Sequence, residues 1–156
     1  MRASFGRVLT VAAIGESLPD PGSYIDIDPL RKNRRGVPLA RIHGHLGEAE
    51  LRRLAFMAKT ARQILHASGV SEIFEETGTY DIFSATHVFG TCRMGRDPAQ
   101  SVVDPTGRSH RWRNLYIADT SVFPSSGGGE APSLTIEALG IRTAAHLRDA
   151  LGRGEL

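Results

Sequence analysis

His87 and Cys92 carry the side chains best suited to proton transfer or nucleophilic attack near neutral pH. They stand five positions apart in the run His-Val-Phe-Gly-Thr-Cys-Arg-Met-Gly at 87–95. An imidazole titrates close to neutrality and is a natural proton acceptor, and Gly90 lets the backbone turn sharply just beyond it. A thiol–imidazole pair is one chemistry this spacing admits. A cysteine–histidine hydrolase also needs an orienting third residue and an oxyanion site, neither of which is identifiable, so that reading is set aside. Cys92 reads as a small buried apolar residue. By periodicity alone His87 is either a satisfied structural histidine or a functional one.

A second candidate lies before the last helix. Gly127-Gly-Gly129 allows a ligand to approach the main chain closely, and Pro132 suits a first helical position. Ala131 then falls at the N-cap, where it offers no side-chain acceptor. The first amides of the helix are left to favour a phosphate or another delocalised anion. A flexible connection is the alternative. No segment spells GxGxxG, so there is no complete dinucleotide fingerprint. His43 and His45 would share one face of a strand, but two ligands without a third make no metal site, and none is expected. Trp112, between Arg111 and Arg113, reads as a loop anchor. Arg31, Lys32, Arg34 and Arg35 read as a solvated turn rather than a phosphate contact.

The elements that must position these residues are of mixed type. Residues 8–14 have the length and β-branching of a buried strand. Arg2 and Arg7 before them faintly imitate a signal peptide, but no small-x-small cleavage site follows, which leaves cytoplasm and periplasm both open. Residues 24–28 alternate polar and apolar, and residues 37–43 form a second short strand, with a hairpin turn closed by Gly36 between them. From 47 to 68 the spacing of Leu51, Leu54, Ala55, Ala58, Ala61 and Leu65 predicts a helix ended by Gly69. Residues 114–119 predict a short strand ending in Asp119. The last helix carries an apolar stripe of Leu134, Ala138, Ile141 and Ala145, joined by Leu147 and Leu151, and stops at Gly152.

The 156 residues suffice for one domain with its own core. Apolar residues make up 40% and charged residues 23%, which excludes disordered and low-complexity classes. A net charge of +2 gives no ground for a nucleic-acid partner, a lone cysteine excludes an internal disulfide, and no run is long enough for a membrane span. The fold class is α+β.

Together these segments resemble the C-terminal part of the glucose–methanol–choline (GMC) family of FAD-dependent oxidoreductases. The resemblance rests on residues 87–95, on Val-Val-Asp-Pro at 102–105, on Asn-Leu-Tyr-Ile-Ala-Asp-Thr-Ser-Val-Phe-Pro at 114–124 and on Pro-Ser-Leu-Thr-Ile at 132–136. It extends more loosely through Glu-Ser-Leu-Pro at 16–19 and the hairpin over 28–38. The resemblance implies one C-terminal domain over 1–156. Residues 1–83 would be mostly substrate-domain sheet and helix. Residues 84–156 would hold the active-site histidine and the strand–glycine loop–helix that completes the FAD domain. The family's N-terminal FAD-binding half has no counterpart in these residues. His87 would be the general base that takes the hydroxyl proton of a small alcohol or sugar while hydride passes to the flavin. Asp119, Thr120, Ala131 and Pro132 would be the cofactor-binding positions. The family usually places a second histidine or asparagine where Ala131 stands. Losing one such hydrogen bond costs on the order of 2–4 kcal/mol of transition-state stabilisation, and Glu130 is the candidate substitute. FAD binding would need the other half, supplied if necessary by a separate FAD-binding chain. The competing expectation is a non-catalytic remnant or interaction module. Either way, apolar surface and unpaired strand edges are expected to be exposed.

Overall fold

The computed structural model describes residues 5–79, 81, 87–128 and 131–155. The chain divides into two compact units, Met1–Ser17 with Leu46–Ala85, and Leu18–His45 with Thr86–Leu156.

The first unit is built on α1 (Glu48–Ala67). Glu48 and Glu50 stand in its first turn, with the sign the helix dipole favours there, and His66 stands in its last. Past its end, the Ser68 and Gly69 amides return to the Ile64 and His66 carbonyls. Leu54, Met57, Ala58, Ala61 and Leu65 form a half-buried stripe, and none is fully buried. Gly15 packs closely on this helix, because a Cβ there would stand 3.0 Å from Met57 Cε and 3.1 Å from Arg53 Cδ. Arg53 donates to the Glu16 carbonyl, and Arg62 binds the Glu76 carboxylate at 2.5 Å. Residues 8–14 are not the strand the sequence predicts. They carry no ladder, and Val8, Leu9 and Ile14 are exposed. Strand geometry needs a neighbour to take the backbone hydrogen bonds, and none of the described residues lies alongside as one.

The second unit opens with an antiparallel hairpin of β1 (Tyr24–Lys32) and β2 (Pro38–His43). Its turn is fixed by Asn33, whose side-chain oxygen accepts from the Arg35 and Val37 amides, and by Gly36 at φ +79°. Cross-strand pairs Ile25↔Ile42 and Ile27↔Ala40 put one apolar face together. That face is bare: Ile27 is 68% and Ile42 71% exposed. The opposite face holds Asp26 between Arg41 and His43, with His43 stacked on Tyr24 at 4.1 Å. Between Ile27↔Ala40 and Lys32↔Pro38 the register shifts, with residues 28–31 of β1 facing Leu39 alone. The Asp28 carboxylate fills this bulge by accepting from the Leu30 and Arg31 amides, both at 2.9 Å.

The remainder of this unit surrounds a small core of Val103, Val122 and Phe123, with Phe89, Met94, Ile117, Ile136 and Leu139 packed against it. Residues 114–119 are not a regular strand. A single bridge, Tyr116 to Arg108, is the pairing they make, because no second strand runs beside them among the described residues. Gly107 sits in a tight turn of this body. At φ +86° its Cβ, if present, would lie 2.9 Å from Thr143 Oγ1 and 3.0 Å from the Ile117 carbonyl oxygen.

Thr143 belongs to α2 (Ser133–Gly152), which docks through Ile136, Leu139, Thr143 and Ala150. This is not the stripe read from the sequence. Leu134 is 80% and Ile141 73% exposed, and Ala138 between them is exposed as well. The helix is apolar on two opposite sides, and the one bearing Leu134, Ala138 and Ile141 is left uncovered, while Leu147, read as joining that stripe, is half-buried. Exposed apolar surface is thus present on the hairpin, on α2 and along residues 8–14.

Candidate active site around His87

Three separate segments converge on the Val103–Val122–Phe123 core, and each carries one part of the candidate site. The first begins at His87. Two residues on, Phe89 stacks on Phe123, ring centroids 5.5 Å apart and planes 11° from parallel. The chain then turns at Gly90, with the Arg93 amide returning to the Gly90 carbonyl. The Cys92 and Met94 amides donate to the Ser121 and Val122 carbonyls at 2.9 and 2.8 Å. His87 itself is half-buried, and its Nδ1 is buried with no hydrogen-bond partner among the described residues. Such an atom is costly to leave unpaired.

The second segment is the short 3-10 turn Thr120–Val122. Asp119 caps it, its carboxylate accepting from the Ser121 amide at 2.8 Å while remaining exposed. The Thr120 hydroxyl donates to the Val88 carbonyl at 2.9 Å, across 32 residues of sequence. Asp119, Thr120 and the residue next to His87 are therefore joined in one hydrogen-bonded unit.

The third segment is the start of α2. Pro132 has helical dihedrals at the cap position, and its carbonyl accepts from the Ile136 amide at 2.9 Å. Among the described residues no side chain caps this end. Ala131 is exposed and offers only a methyl group. Gly127 and Gly128 precede it at φ +74° and +121°, with open space where a Cβ would point. Gly129 and Glu130, the candidate substitute, lie outside the described residues.

The structure thus brings the His87 segment, the Asp119–Thr120 turn and the first turn of α2 onto one core. Cys92 is held through its backbone, and no hydrogen bond joins it to His87 among the described residues. Sequence reasoning missed two further features. The Thr120–Val88 bond links residues too far apart in sequence for spacing to show it. Tyr116, inside a motif that was singled out, buries a phenolic oxygen with no partner among the described residues.

A family model, GMC oxidoreductase (C-terminal part), matches residues 19–140. The chain is 40% identical over 109 residues to the paromamine 6'-oxidase of Streptomyces fradiae, covering 70% of this chain and 20% of that protein. It is 31% identical over 138 residues to the 2-methyl-1,2-propanediol dehydrogenase of Mycolicibacterium austroafricanum, covering 88% and 25% respectively. With the gluconate 2-dehydrogenase flavoprotein of Pantoea cypripedii the identity is 30% over 152 residues, covering 94% and 25%. The chain spans a fifth to a quarter of the length of these relatives.

Proposed function

The chain belongs to the GMC oxidoreductase family, and from that premise we propose that it supplies the histidine-bearing wall of a FAD-dependent active site that oxidises the CH–OH group of a small alcohol or sugar. In this reading residues 84–156 carry the catalytic and flavin-facing positions, and residues 1–83 contribute mostly to the substrate side. The remaining flavin-binding part of the family fold lies on the same polypeptide or on a separate chain.

The observation that carries the reading is the convergence of the His87 segment, the Asp119 turn and the start of α2 on the Val103–Val122–Phe123 core. The donor set fits a flavin. An exposed carboxylate at Asp119 suits ribityl hydroxyls, and a helix end with no side-chain cap among the described residues suits an electron-rich ring edge. FAD, when bound, supplies the acceptor for the hydride leaving the substrate carbon.

The work of the chain's own residues is to hold the alcohol and move its proton. With Nδ1 buried, Nε2 of His87 is the nitrogen left to meet a hydroxyl, and it takes the proton as the carbon–hydrogen bond weakens. That role places the imidazole's own proton on Nδ1, and the unpaired Nδ1 calls for an acceptor from beyond the described residues. Ala131 has no polar side-chain atom, so His87 carries the side-chain contact to the substrate oxygen without help from that position. The bare faces at Ile25, Ile27 and Ile42 and at Leu134 and Ile141 supply apolar surface for packing against the flavin-binding part.

The test is to assemble the chain with the flavin-binding part and compare it with the His87→Ala variant. The variant retains stoichiometric flavin while turnover of alcohols falls by about 10²- to 10⁴-fold, the usual worth of a positioned base. Turnover unchanged by the substitution removes His87 from the reaction.

A further inference from the structure

Thr120 occupies a position where a flavin contact was expected, yet its hydroxyl is already engaged, donating to the Val88 carbonyl at 2.9 Å. We propose that Thr120 is a positioning residue that fixes the 88–89 peptide beside His87, and so the direction of the imidazole; this rests on the reading of His87 as the base.

Val88 stands between His87 and the anchored Phe89, and its side chain is 63% exposed, so packing does not hold it. The next attachments downstream are the Phe89–Phe123 stack and the amides of Cys92 and Met94. Among the described residues the Thr120 bond is the attachment nearest to His87, and it is the one hydrogen bond of this stitch that a side chain makes. Its donor is itself well fixed. Thr120 opens the 3-10 turn capped by Asp119, and its carbonyl accepts from the Phe123 amide at 3.1 Å. A β-branched side chain on a capped turn has few rotamers to lose. Without the hydroxyl the 88–89 peptide is free to rotate, and the ring of the preceding residue moves with it. A displacement of about 1 Å at a reacting group is enough to cost on the order of 10²-fold in rate.

The experiment uses the flavin-loaded holoenzyme carrying Thr120→Val, Thr120→Ala or Thr120→Ser, with His87→Ala alongside. The expected result is that the valine and alanine variants keep full flavin content and lose about 10- to 100-fold in kcat, with KM changed less than threefold. The serine variant recovers most of that loss, since it restores the donor. Amide hydrogen exchange over residues 88–92 speeds up in the first two variants and not in the third. Thr120 is not a positioning residue if kcat of both variants stays within twofold of wild type. The proposal is equally overturned if activity is lost only in proportion to flavin, which would make Thr120 a cofactor contact. An active His87→Ala enzyme sinks the base reading itself, whereas an inactive one beside fully active Thr120 variants sinks only the positioning role.

Discussion

Replacing Gly107 by alanine tests whether the packing of α2 onto the body is as tight as the structure has it. Two costs add at this position. The left-handed backbone, φ +86°, disfavours any side chain by about 1–2 kcal/mol. The new methyl would also stand 2.9 Å from Thr143 Oγ1, 3.2 Å from Thr143 Cγ2 and 3.0 Å from the Ile117 carbonyl oxygen. Thr143 is buried and β-branched, and the carbonyl is backbone, so neither yields without moving an element, which costs about 1–3 kcal/mol more. The sum is about 2–5 kcal/mol. Gly154 provides the control. It has φ +69° with open space around it, so Gly154→Ala bears only the backbone cost of about 1–2 kcal/mol. Urea unfolding of the two variants, followed by far-ultraviolet circular dichroism, measures the difference. Adding Thr143→Ala removes two of the three close contacts and should return on the order of 1 kcal/mol to the Gly107 variant. Equal midpoints and slopes for Gly107→Ala and Gly154→Ala would refute the close approach of α2 to this turn.

Three further outcomes follow from the hairpin and from α2. The Arg41 guanidinium, hydrogen-bonded to Asp26 and aided by His43, holds that carboxyl down at about 2. A lowered folded-state pKa gives stability that is present above the ordinary carboxylate range and is lost as pH falls through about 2. Thermal melts between pH 4 and 2 should therefore decline more steeply for wild type than for Asp26→Asn, and parallel curves would show the pair to be inert. On α2, Ile141→Glu should change the chain's own unfolding by less than about 0.5 kcal/mol, because the side chain is already in water, while Leu139→Ala loses about 2 kcal/mol or more from the core. The same Ile141→Glu change should weaken assembly with the flavin-binding part, measured by co-purification.

Much of the local structure was legible in the residues. Alternation over 24–28 and the Asn33–Gly36 chemistry announce the hairpin, and the spacing from Leu51 to Leu65 with Gly69 announces α1. The ends of α2 were legible to within one residue: Pro132 is the N-cap, in place of Ala131, and Gly152 is the last helical residue, with Arg153 as the C-cap. What failed was the choice of its packed side. Thr143 and Ala150 lie on the docked face and give little hydrophobic signal, while Leu134 and Ile141 signal strongly and face solvent. Residues 8–14 and 114–119 have strand composition, but a strand is a property of two segments and no sequence window contains its partner. The site was legible as motifs, since His87, Asp119 and Pro132 each sit in a recognisable run. Their convergence was not, because it depends on Phe89 meeting Phe123 and on Thr120 reaching Val88 across 32 residues.

The bulge at Asp28 limits how the hairpin can grow. Two backbone donors, at Leu30 and Arg31, are turned onto their own carboxylate and cannot enter a ladder with a newcomer. A third strand laid against β1 finds regular geometry only over residues 24–27, a stretch of about 13 Å at the rise of an extended chain. Copies of the chain that meet through the β1 edge, as open-ended stacking requires, encounter the same interruption. The hairpin can therefore keep an uncovered apolar face while resisting the open-ended stacking that leads from such faces to fibres.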